Sequence, residues 1–75
     1  MSEDTALRRV TGAANGGEAE MIATLLRNEG IPSVIRRPLG ADVPDFLDAG
    51  PREILVRARD HAAAREMVES FFGLR

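Results

Sequence analysis

Three aspartates, Asp42, Asp45 and Asp48, recur at every third position, and three arginines, Arg36, Arg37 and Arg52, stand on either side of them. Clustered carboxylates are the ligands that Mg²⁺ and Ca²⁺ take. An EF-hand loop, however, draws oxygens from alternate positions and closes on a bidentate Glu, and neither feature is present. The three acids are therefore read as capping and solvated groups, with no metal assigned. Each arginine offers a planar fork of donors that matches a carboxylate or a phosphate. Two uses follow for Arg36, Arg37 and Arg52. They pair with the neighbouring aspartates and fix the connection that carries them, or, if those aspartates turn elsewhere, they form a patch for a small anion.

Covalent and acid–base chemistry is thinly supplied. The chain has no Cys and no Tyr, and His61 is its one histidine. Ser2, Ser33 and Ser70 have no base near them in sequence, and carboxylates pair only where helix capping explains them. His61, beside Asp60 at the start of a helix, reads as a solvated residue. An enzyme is not expected, nor a cofactor.

Composition narrows the classes further. All ten basic residues are arginine, and twelve carboxylates bring the net charge to −2. An acidic chain with three Phe as its only aromatics offers neither a general nucleic-acid surface nor a stacking platform. No apolar run approaches the roughly 18 residues of a membrane span, and MSEDTALRRV has no apolar signal core. The absence of cysteine fits a reducing compartment. A soluble cytoplasmic protein is expected. Its 75 residues form one domain with a core over about 6–73 and a polar, disordered tail at 1–5. A chain of this size buries only about 60 % of the surface its unfolded form exposes, so a partner subunit would help it.

The elements that position these groups follow from periodicity and punctuation. ALRRVT, residues 6 to 11, reads as a strand ending at Gly12. Leu7 and Val10 lie an odd number of residues apart, which calls for a bulge or for cover on both faces. Asn15 caps a helix with Glu18 as its capping-box partner, and Ala19, Ile22, Leu25, Leu26 and Met21 supply the apolar stripe. Gly30 takes the left-handed position after the helix, with Ile31 folding back on Leu26 in a Schellman stop near Glu29. Glycines before that helix evoke a phosphate-binding turn, yet they match no P-loop or dinucleotide fingerprint, and Glu18 and Glu20 oppose an anion there. PSVIRR (32 to 37) and REILVR (52 to 57) read as strands, the second covered on both faces because its apolar run is continuous. The last helix takes Asp60 as N-cap, Ala64, Met67, Val68 and Phe71 as its buried stripe, and Gly73 as its stop.

Strand, helix, strand, strand, helix in this order predicts an α+β domain. A right-handed crossover sets strands 1 and 2 parallel, and strand 3 returns antiparallel between them. This is a ferredoxin-like βαββα sheet lacking the final strand, with two helices on one face. The outer edge of strand 1 is then open, and the face away from the helices needs cover, because Val34 and Ile35 cannot both point to one layer. The long β2-β3 connection, residues 38 to 50, is expected to be ordered: Asp42 caps a short helical turn in it, Phe46 and Leu47 form the turn's apolar side, and Gly50 ends it. Linkers are not built from Phe, Leu and Val, so the segment is read as a lid over that face or over a partner.

The strings GEAEMIATLLRNEGIPSVIRR and GADVPDFLDAGPREILVRARDHAAAREMV carry a resemblance over about residues 7 to 70. They resemble the small prokaryotic domain of unknown function described as a "putative prokaryotic signal-transducing protein", similar in fold to the nitrogen-regulatory PII group. The resemblance implies a ferredoxin-like fold, often in a stand-alone chain, and a signalling role inferred from fold. The chain departs from true PII proteins in lacking their extended nucleotide-binding loops and their target tyrosine, so no nucleotide site is carried over.

Two functions are expected from these readings. The first is a non-catalytic regulatory or signal-transducing interaction domain that self-associates, as a homodimer or with another protein, through its free edge or apolar face. The second is a sensor that holds a small anionic ligand against Arg36, Arg37 and Arg52 beneath the lid, with Asp42, Asp45, Phe46 and Leu47 around it.

Overall fold

The computed structural model describes residues 6–38 and 50–72. Strand β1 (Leu7–Ala13) leads into helix α1 (Gly16–Asn28), followed by β2 (Ser33–Arg36), β3 (Arg52–Arg57), a single 3-10 turn (Ala58–Asp60) and helix α2 (His61–Phe72). The three strands form one sheet in the order β1-β3-β2, and both outer strands run antiparallel to β3. They are therefore parallel to each other, as the crossover requires.

Periodicity places the core on one side of this sheet. Ala19, Ile22, Ala23 and Leu26 form the buried stripe of α1 at the spacing of one helical face. Ala19, Ile22 and Leu26 join Val10 and Ala13 of β1, Ile31 after α1, Ile54 and Val56 of β3, and Ala64 and Val68 of α2, with Ile35 and Met67 packed at the margin and Ala23 buried beside this cluster. Full burial of a side chain the size of Ile54 or Leu26 contributes roughly 1.5–3 kcal/mol. From the helices, Ile22, Leu26 and Val68 supply the larger side chains of this core, beside the small Ala19 and Ala64.

Local chemistry sets the ends of α1. The Asn15 side chain accepts from the Glu18 amide at 2.8 Å, and Glu18 Oε1 accepts from the Ala14 amide at 2.6 Å, one residue earlier than in a standard capping box. At the other end the Ile31 and Gly30 amides donate to the carbonyls of Leu26 and Arg27, both at 2.9 Å. This is the expected Schellman stop. Gly30 takes φ +81, where a Cβ would be strained.

Several expectations are corrected. Strand β1 continues through Gly12 to Ala13, because the register slips between Arg9 and Thr11. The bulge turns Val10 and Ala13 to the same core despite their odd separation, while Leu7 stays half exposed. On α1, Ala23 is buried in place of the expected Met21, which is exposed, and Leu25 is only half buried. Asp60 is not a cap: it sits in the 3-10 turn with its carboxylate 3.9 Å from Arg57 Nε. Phe71 is 50 % exposed and packs edge-to-face on Phe72, because α2 buries only the narrow face of Ala64 and Val68. The tail at 1–5, the helical turn expected at 42–49 and the stop at Gly73 lie outside the described residues.

The face away from the helices carries Leu7, Arg9, Val34, Arg36, Glu53, Leu55 and Arg57 by strand alternation. Leu55 is 3 % exposed yet lies outside the helix-side core. The continuous run Ile54, Leu55, Val56 is thus buried on both faces, as its lack of alternation required.

Candidate functional site

The arginines expected to hold an anion are already engaged. Arg36 donates to one Glu53 oxygen through Nε at 3.3 Å and Nη2 at 3.1 Å. Arg9, on the other outer strand, places its Nε 3.5 Å from the second Glu53 oxygen. One carboxylate on the central strand therefore ties both edge strands together. The Arg9 guanidinium passes close over Gly12, where a Cβ would stand 2.9 Å from Arg9 Nη2. Arg52 turns to the opposite side of β3 from Glu53 and donates to the Gly50 and Pro51 carbonyls at 3.0 and 3.2 Å. Arg37 follows β2 and is partly buried. Asp42, Asp45, Phe46 and Leu47 lie outside the described residues, so their relation to these arginines is not part of the described geometry.

His61 is not simply solvated. Its Nε2 lies 2.9 Å from the Arg9 carbonyl, which can only accept, so Nε2 carries the hydrogen. One turn along α2, Arg65 Nη1 donates to the Val10 carbonyl at 3.0 Å while its Nε pairs with Glu69 at 3.1 Å. Two consecutive carbonyls at the β1 bulge are thus taken by α2. Spacing of i and i+4 on one helix face makes this double contact possible.

A concavity among the described residues lies elsewhere, between α1 and the outer side of β2. This groove of about 550 Å³ has Ala23, Ile31, Pro32 and Ile35 as its apolar lining, with Glu20 and Arg27 on its α1 side. Glu20, Ala23 and Arg27 are three and four residues apart and so share one face of α1, beside the core stripe. Sequence reasoning missed this group. The available signal was a small residue between an acid and a base on one helix face, but only the strand order makes β2 an edge and gives that face a groove. Among the described residues no strand pairs with the outer side of β2.

No group of His, Cys, Asp and Glu among the described residues is arranged to hold a metal ion. No described helix is long and apolar enough to cross a membrane. Against known proteins, the family described as "Putative prokaryotic signal transducing protein" matches residues 7–71, nearly the whole chain. The chain belongs to this family. No curated protein and no solved structure matches it. The family description names signal transduction and no residue. Within this family member, the α1–β2 groove and the Arg9–Glu53–Arg36 bridge are the surface features whose chemistry is defined.

Proposed function

We propose that this protein is a non-catalytic regulatory domain of the signal-transducing type, which works in the cytoplasm by associating with a second copy of itself. In this reading the fold is ferredoxin-like without its last strand, and PII-like in the broad sense that contacts between subunits carry the signal. One observation carries the proposal: among the described residues, a three-stranded sheet leaves β2 as an edge beside an apolar groove. Exposed edges template pairing with another strand and are usually blocked or used. The small size of the chain adds a reason for a subunit contact, because burial between copies supplements a core of this size.

The interaction reading stands ahead of the anion sensor for a stated reason. Arg36 is already paired with Glu53, and Arg52 spends donors on backbone carbonyls, so an incoming anion would have to displace existing partners. Sedimentation equilibrium over a wide concentration range tests the proposal. A mass that rises toward twice the chain mass of 8.1 kDa is expected. A folded monomer at every concentration would sink it.

A further inference from the structure

We infer that the second copy docks edge to edge through β2, with a two-fold axis passing between facing α1 helices near Ala23, so that Glu20 of each copy meets Arg27 of the other. This inference rests on the self-association reading above and names its surface.

The two edges of the sheet differ in what they offer. On β1 the ladder is bulged, and the Arg9 and Val10 carbonyls already accept from His61 and Arg65. A bulge with its acceptors in use is a poor template for another strand. Strand β2 is regular and pairs with β3 on one side over Ser33 to Arg36. In an antiparallel ladder alternate residues bond the partner strand, and the others direct N–H and C=O outward. A second β2 satisfies those groups and joins two three-stranded sheets into one of six.

Symmetry then decides which side chains meet. A two-fold contact through one edge sets the two β2 strands antiparallel. Helix α1 crosses from β1 to β2, which are parallel, so it runs antiparallel to both. Its Glu20 therefore lies toward the end of β2 and its Arg27 toward the beginning. Antiparallel apposition brings the end of one β2 beside the beginning of the other, and hence Glu20 opposite Arg27, twice. The midpoint between those residues falls next to Ala23, whose small side chain lets the helices approach. Glu20 and Arg27 are both exposed, and neither makes an ion pair with another described residue. The face is thus complementary to itself in charge, while Ile31 and Ile35 supply apolar contact beneath.

A charge-swap series on the full chain tests this by sedimentation at low ionic strength, where exposed pairs count most. Glu20→Arg alone sets like charges against each other at both symmetric positions and is expected to weaken dimerisation about tenfold or more. Arg27→Glu alone is expected to do the same, and the double variant E20R/R27E to recover the wild-type constant within about threefold, since opposite charges again face each other. Far-UV circular dichroism checks that each variant folds. If Arg27→Glu frays the end of α1, the comparison of E20R with the double variant decides alone. Dimers indifferent to E20R overturn the surface while leaving self-association in place. A double variant as weak as E20R overturns the pairing. A monomeric wild type overturns both readings.

Discussion

Glu53 is the residue on which the outer face of the sheet depends. Its side chain is 20 % exposed, and it receives Arg36 from one edge strand and Arg9 from the other. Neither arginine is buried, so each pair alone is worth only about 0–1 kcal/mol. Sharing one half-buried acceptor couples them, because losing it leaves two like charges facing each other across β3. Glu53→Gln is expected to destabilise the protein by about 1 kcal/mol, less at high salt, because screening weakens the lost pairs. Urea unfolding at low and high ionic strength checks both parts. Glu53 is a partner of Arg36 that sequence reasoning did not name. Arg36 is near the aspartates of the connection along the chain, but 17 residues on, β3 places Glu53 directly opposite it.

At the scale of elements, α2 does more than bury Ala64 and Val68. Its first two turns present His61 and Arg65 to the carbonyls of the β1 bulge. A bulge disrupts the ladder locally, and acceptors left without partners are costly. Arg65→Met keeps the apolar stem and removes the donor. The expected loss is about 1 kcal/mol, together with faster amide exchange in β1 than in β2. Equal exchange in both strands would show that α2 does not hold the bulge. Periodicity and caps made the elements themselves legible: Asn15, Gly30 and the run Ile54–Val56 each sit where the sequence placed them. Helix α2 was less legible, because one turn of 3-10 before it shifted the start past Asp60, and its buried face is limited to Ala64 and Val68, which leaves Phe71 exposed.

For the whole molecule, the central quantity is how stability depends on concentration. A monomer of this size is marginal, and a partner that binds only the folded state stabilises it by mass action. The midpoint of thermal unfolding is therefore expected to rise with protein concentration, by an amount set by the dimer constant. Differential scanning calorimetry over a hundredfold concentration range measures it directly. A midpoint independent of concentration would place the stability within the single chain.

The residues by themselves determined the order of elements, the ends of α1, the burial of β3 on both faces and the family to which the chain belongs, because each depends on neighbours a few positions apart or on a pattern spanning the chain. The candidate site was not legible in the same way. Arg36 and Arg52 were named from their side-chain chemistry, yet alternation along the strands turns them to different sides of the sheet. Glu20, Ala23 and Arg27 carry no motif, and they line one groove only because the strand order of the described sheet leaves β2 at an edge beside them. Tertiary structure decided which charges pair inside the domain, Arg9 and Arg36 on Glu53, and which, like Glu20 and Arg27, make no ion pair with another described residue. The physical reason is that pairing depends on distance in space, and the sheet brings β3 between two strands that the sequence keeps apart.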